Sequence, residues 1–120
     1  MPTWEVEYTD EFEEWWESLG EGEQEAIAHG VDILRRLGPS LGRPSVDTVQ
    51  GSRHANMKEL RTQYRGKPYR TFFAFDPRRT AILLVGGRKG GDARFYERMI
   101  PLADRLYDQY LAELRKEGLI

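Results

Sequence analysis

The sequence predicts an α+β fold: an N-terminal strand and a two-helix hairpin packed on a small antiparallel sheet, with a C-terminal helix. Three observations carry this reading. Residues 57–85 hold three consecutive runs with the alternating or continuously apolar character of strands, separated by turns that contain Gly or Pro. Residues 12–37 and 102–114 instead repeat their apolar side chains at helical spacing. At 120 residues the chain reads as a single domain, residues 1–120, long enough for a core and too short to divide.

The N-terminal part reads strand, helix, helix. Trp4 to Tyr8 alternates apolar and polar residues, the period of a half-buried strand. Asp10, Glu11, Phe12 and Glu13 have the form of a capping box with Asp10 as cap, and acidic residues in a first turn suit the helix dipole. A helix to about Leu19 puts Phe12, Trp15, Trp16 and Leu19 on one stripe, the tryptophans serving as core anchors. Gly20-Glu21-Gly22 breaks it. The second helix, from about Glu23 to Leu37, aligns Ala26, Ile27, Val31, Leu34 and Leu37 and ends at Gly38-Pro39. Ser40 to Asn56 is a long polar connection with a short extended piece at Val46 to Val49. His54 closes it, either as a base beside a basic strand or as an ordinary loop histidine.

Then come the strands. Met57 to Tyr64 sorts Lys58, Leu60, Thr62 and Tyr64 onto one face and Met57, Glu59, Arg61 and Gln63 onto the other. After a turn at Arg65 to Pro68, the next run places Tyr69, Thr71, Phe73 and Phe75 opposite Arg70, Phe72 and Ala74. Asp76 to Arg79 is a second turn. Ala81 to Val85 is nearly all apolar, which predicts a central strand covered on both faces. The loop Gly86 to Asp92 carries two cations between glycines but lacks the spacing of a Walker loop. Asp92 caps a helical stretch with Phe95, Tyr96, Arg98 and Met99; Pro101 predicts a kink or break, and Leu102, Leu106, Tyr110 and Leu114 continue in register beyond it. Tyr96 reads equally as a packed aromatic or a working phenol.

Charge is distributed unevenly. Residues 1–37 contain eleven Asp and Glu against two Lys and Arg, whereas residues 38–98 contain thirteen Lys and Arg against five acids. One reading is a surface whose halves neutralise each other; the sharper one is a polyanion-binding face opposite an acidic helical layer. No cysteine is present, which removes disulfides, thiolate ligands and a thiol nucleophile and fits a reducing cytoplasm. The segment from Met1 to Glu5 lacks a basic stretch followed by an apolar run, and no apolar stretch approaches the roughly 20 residues of a membrane span. The expected location is cytoplasmic, with no membrane partner.

The order of elements, with Lys58-Glu59-Leu60-Arg61, Tyr69-Arg70, Phe75-Asp76-Pro77-Arg78-Arg79, Gly86-Gly87-Arg88-Lys89 and Phe95-Tyr96-Glu97, resembles the RelE/ParE toxin superfamily, and within it the HigB-like branch of phage-derived proteins. The resemblance covers most of the chain. It implies a RelE-like fold and a type II toxin, neutralised by a cognate helix-turn-helix antitoxin in a hetero-oligomer. It further implies an endoribonuclease that cuts mRNA in the ribosomal A site of the 30S subunit. ParE-like relatives share the fold but poison DNA gyrase, and a nucleic-acid-binding domain without catalysis is the other alternative.

The residues fit RNA cleavage on chemical grounds. The 2'-OH must lose a proton, the phosphorane must be stabilised, and the 5'-oxygen must gain a proton. Arg and Lys meet the second demand; for the others, an amine crowded by cations can act as base, and a phenol or cation as acid. By position the resemblance assigns Lys58, Arg61, Arg70, Lys89 and Tyr96 to catalysis. Lys58 or Lys89 is the base candidate, Arg61 and Arg70 the phosphate clamp, and Tyr96 a stacking or proton-donating group. Arg65, Lys67, Arg78, Arg79, Arg88 and Arg94 are candidate RNA-binding cations. No metal or cofactor is called for. Lys58 and Arg61 fall on opposite faces of a regular strand, so both reach one phosphate only if the strand bulges or one side chain rounds its edge.

Overall fold

The computed structural model describes residues 3–120; Met1 and Pro2, which open the stretch read for a leader, lie outside the described residues. The elements are β1 (Val6–Tyr8), α1 (Asp10–Glu17), α2 (Glu21–Leu37), a short 3-10 turn (Gly38–Ser40), β2 (Val46–Thr48), β3 (Lys58–Tyr64), β4 (Lys67–Phe75), β5 (Ala81–Arg88) and α3 (Phe95–Lys116). They form the α+β, RelE-like arrangement that the sequence predicts. The five strands lie in the order β1-β5-β4-β3-β2. β2 to β5 pair antiparallel, but β1 joins β5 in parallel, so the sheet is mixed. The middle strand is β4; the apolar run in β5 is interior, one place from the edge.

α1 lies on β5 and α2 on β3, covering one face of the sheet. Their core gathers Phe12, Leu34, Val46, Leu60, Phe73, Ala81 and Leu83. α3 covers the other face, where Phe72, Ala74, Ile82 and Leu84 meet Phe95, Met99, Ala103, Leu106 and Tyr107. The alternation of β3 and β4 decides which residue enters which core, and it assigns Leu60 and Phe73 to the first and Met57 and Phe72 to the second.

Three local expectations are corrected. Thr9, not Asp10, caps α1: its Oγ1 accepts from Phe12 N at 3.0 Å and donates to Leu84 O at 2.6 Å. A hydroxyl can do both, whereas a carboxylate has no proton to donate. α2 starts at Glu21, two residues early, because the Glu23 carboxylate accepts from Gly20 N at 2.7 Å and organises the first turn. α3 runs unbroken through Pro101. An interior proline costs about 3 kcal/mol, but the buried stripe of α3 spans it from Phe95 and Met99 to Ala103, Leu106 and Leu114. Burying large apolar side chains contributes about 1.5–3 kcal/mol each, so packing outweighs the proline. Pro101 and Glu97, whose carbonyl loses its helical donor, are both exposed to water.

The β3–β4 turn fixes the register of the two strands that carry most of the cations. Arg65 at φ 51° and Gly66 at φ 76° are both left-handed, as a two-residue hairpin turn of the twist-compatible kind requires. That turn sets Tyr64 opposite Lys67 and therefore Arg61 opposite Arg70.

Candidate functional site

On the α3 face of the sheet, β3 and β4 present Glu59, Arg61 and Arg70, and the first turn of α3 lays Tyr96 across them. Glu59 is the centre, with only 3% of its surface exposed. One carboxylate oxygen accepts from the Tyr96 hydroxyl at 2.7 Å; the other accepts from Arg61 Nε at 3.1 Å and Nη2 at 3.0 Å. Arg70 Nε lies 3.6 Å from Glu59 and donates to the Tyr96 hydroxyl at 3.2 Å, while Arg70 Nη1 donates to Tyr69 O at 3.0 Å. A buried carboxylate is tolerated because paired cations and hydrogen bonds compensate it. Asp47 on β2 holds Arg61 from the other side at 3.3 Å.

These contacts have electrostatic consequences. Burial raises the Tyr96 phenol above its ordinary value and the hydrogen bond to Glu59 raises it further, so Tyr96 stays protonated at neutral pH. Its ring packs edge-on against Phe72 and Phe95. The Lys89 ammonium stands 5.4 Å from the ring centroid, and Lys89 N donates to Pro68 O at 2.9 Å, which fixes the loop after β5. Arg61 and Arg70 also line a shallow hollow of about 350 Å³ with Pro44, Ser45 and Gln63, open at the edge of β3. Three cations against two carboxylates leave the neighbourhood positive and reachable by an anion.

The structure thus brings together Arg61, Arg70, Lys89 and Tyr96. Lys58 does not join them: it pairs with Phe73 on the opposite face, and β3 has no bulge there. Among the remaining cations, Arg65, Lys67 and Arg88 surround a hollow of about 400 Å³ at the hairpin end, together with Tyr64, Tyr69 and Glu23. Arg65 stacks 5.3 Å from the centroid of Tyr64. Glu23 accepts from the Tyr69 hydroxyl, which holds its carboxyl below the usual range, and burial raises the Tyr69 phenol. Arg78 is engaged by Asp76, Glu7 and Tyr110 in the β4–β5 turn, at the far end of the strands. The eight steps of β4 put roughly 26 Å between the two ends. Exposed Arg79 shares the β4–β5 turn, and Arg94, also exposed, stands just before α3 with Glu97 3.9 Å away.

Glu59 is the residue that sequence reasoning missed as a site member, having named it only within the run Lys58-Glu59-Leu60-Arg61. The signal was present: Glu59 and Arg61 share a strand face. What was not visible is that Arg70 and Tyr96 converge on the same carboxylate. His54 resolves differently. Its Nε2 lies 2.7 Å from Asp108 Oδ1, its ring packs on Tyr107, and its neighbours Ser52 and Arg53 bind the buried Asp104. Twelve residues of α3, about 18 Å, separate Asp108 from Tyr96, so His54 fastens a loop to α3 away from the cationic site.

No helix is long and apolar enough to cross a membrane among the described residues. Residues 14–108 match the family described as "Phage derived protein Gp49-like (DUF891)". Two proteins of Mycobacterium tuberculosis are similar over most of this chain. One, named "Putative toxin HigB3", is 45% identical over 101 residues, covering 83% of this chain and 87% of its own length. The other, named "Putative toxin HigB2", is 43% identical over 101 residues, covering 82% of this chain; the match spans half of that longer protein.

Proposed function

The chain belongs to the Gp49-like family of phage-derived proteins, and from that premise we propose that it is the toxin of a toxin-antitoxin pair, acting as a ribosome-dependent mRNA endoribonuclease. The toxin reading rests on the two named relatives and their coverage of this chain. The nuclease reading rests on one observation: Arg61, Arg70 and Tyr96 gather around Glu59 on one open face, and Lys89 stands over the Tyr96 ring beside them.

In this reading the RNA phosphate sits against Arg61 and Arg70, whose guanidinium groups neutralise the charge that builds on the phosphorane. Arg61, a third exposed, meets it first; Arg70 is held at the back by Tyr69 O and Tyr96. The 2'-oxygen attacks phosphorus and the bond to the 5'-oxygen breaks, giving a cyclic phosphate and a free 5'-hydroxyl. Lys89 takes the 2'-proton, since Lys58 lies across the sheet. The Tyr96 hydroxyl already donates to Glu59 and accepts from Arg70, so its ring supplies a stacking surface for a base beside the scissile phosphate. The ammonium that Lys89 becomes then returns this proton to the 5'-oxygen through water, while the guanidinium groups of the clamp stay charged throughout. So few proton-transfer groups call for a substrate positioned from outside, which is the part given to the ribosome; the purified chain is expected to cleave free RNA poorly.

Induction of the intact chain in a bacterial host, with primer extension on abundant mRNAs, tests this. Growth arrest with new 5' ends is expected for the wild type and for Lys58→Ala, and is expected to be lost in Arg61→Ala/Lys89→Ala. Tyr96→Phe keeps the ring and should keep most of the activity that Tyr96→Ala loses. Arrest with intact mRNA would point to another target such as gyrase. Loss of arrest in Lys58→Ala with a folded protein would place the site on the wrong face.

A further inference from the structure

A hollow of about 460 Å³ lies not at the cationic site but on the opposite face, between α1 and α2. The helices are tied near the Gly20 turn, where Gln24 Nε2 donates to Trp16 O at 2.8 Å, and the cleft opens beyond that tie. Val6, Tyr8, Phe12, Trp16, Val31 and Leu83 make it apolar. Tyr8 is 57% exposed, the highest value among the large apolar side chains exposed here.

The α1 side of the rim has one sign of charge. α1 carries Asp10, Glu11, Glu13, Glu14 and Glu17 and no cation. Glu13 and Glu17, one turn apart, stand at the mouth, and neither has an ion-pair partner among the described residues. Arg35 is the one cation of the lining. An apolar trough with an acidic lip repels nucleic acid and anionic lipid and complements an amphipathic helix whose apolar stripe is flanked by Lys or Arg. α1 is about 12 Å long, so about two turns of such a helix, with anchors at i, i+3, i+4 and i+7, match it.

We propose that the α1–α2 cleft docks a cationic amphipathic helix of a protein partner, its apolar stripe on Tyr8, Trp16 and Val31 and its cations on Glu13 and Glu17. That the partner is the antitoxin rests on the toxin reading; the chemistry of the cleft does not. A toxin so engaged is held on the face away from Arg61 and Tyr96, and the two faces carry opposite charge for opposite kinds of partner.

The test uses the full chain and a fluorescein-labelled helical peptide with Leu at i, i+3, i+4 and i+7 and Lys on both flanks, beside a twin with Glu flanks. Anisotropy should show binding of the Lys peptide that weakens with salt, and much weaker binding of the Glu peptide. Glu13→Lys/Glu17→Lys should weaken the Lys peptide about tenfold or more. Ala28→Trp, which fills the cleft from an exposed position on α2, should remove it; circular dichroism checks that both variants fold. No binding, equal binding of the two peptides, or undiminished binding by either variant overturns the proposal. So does a homodimer of the chain that Ala28→Trp dissociates, since the occupant is then a second copy. Induced in bacteria, Glu13→Lys/Glu17→Lys should still arrest growth; a wild-type chain that causes no arrest removes the toxin reading and leaves the peptide result standing.

Discussion

Replacing Glu59 by leucine removes the one carboxylate shared by Arg61, Arg70 and Tyr96, and the three partners lose unequal amounts. Arg61 keeps Asp47 at 3.3 Å and is about a third exposed, so its loss is within about 1 kcal/mol. Arg70 is only 8% exposed and retains two neutral acceptors, Tyr69 O and the Tyr96 hydroxyl. It becomes a buried cation without a counter-charge, a situation that costs about 3–5 kcal/mol when one member of a buried pair is deleted. For a domain of this size such a loss lowers Tm by roughly 10–20 °C. Removing both charges reverses part of it: Glu59→Leu/Arg70→Met should lie about 1–3 kcal/mol below the wild type, because an apolar pair of similar volume replaces a buried ion pair at little net change and only the Tyr96 hydroxyl is left without its partners. Urea unfolding followed by circular dichroism and tryptophan fluorescence gives all four corners of the cycle. If Glu59→Leu costs less than about 1 kcal/mol, or if the double variant is as unstable as the two single losses added together, then Arg70 is not held by Glu59 and the site is not organised around it.

Other outcomes rest on separate contacts. Asp104, 3% exposed, accepts from Ser52 Oγ at 2.5 Å and Arg53 N at 2.9 Å, so Asp104→Ala should cost about 1–3 kcal/mol and speed amide exchange at Arg53 and His54; unchanged exchange would show that the loop is held otherwise. A Cβ on Gly86 would lie 2.1 Å from the Trp15 ring, so Gly86→Ala should destabilise by about 1–3 kcal/mol and shift tryptophan emission, and a neutral effect would mean that α1 moves freely over β5. Hydrogen bonds from Arg53 and His54 hold the Asp108 carboxyl below its ordinary range. Its stabilising effect is therefore complete above the unfolded value of about 3.9 and is lost as pH falls through the lower folded value; Asp108→Asn should flatten the acid side of the urea-midpoint profile. The phenols of Tyr69, Tyr96, Tyr107 and Tyr110 are raised mainly by burial. Unfolded phenols ionise first, so stability should decline as pH climbs above about 10, and an absorbance titration that shows all six tyrosines ionising together near 10 would contradict the packing.

The sequence by itself determined what is local. Apolar spacing in residues 12–37 and 95–114 and period-2 alternation in residues 57–75 depend on neighbours within a turn or two, and they sorted Lys58 from Arg61 and Arg70 from Phe73 onto opposite faces, as the two cores show. The charge contrast between the acidic first third and the basic middle was equally legible, being a matter of counting. Only the tertiary structure decided the rest. Arg61 meets Arg70 because a turn with two left-handed residues sets the register, and a one-residue slip would send one of them to the other face. Tyr96 reaches Glu59 across 37 positions of sequence, and β1 finds β5 across 75. Thr9 outcompetes Asp10 as cap because Leu84 O happens to need a donor, and α3 tolerates Pro101 because the packed stripe on either side of it outweighs one lost hydrogen bond. In each case a contact distant in sequence overrode a local preference worth less than the packing it opposed.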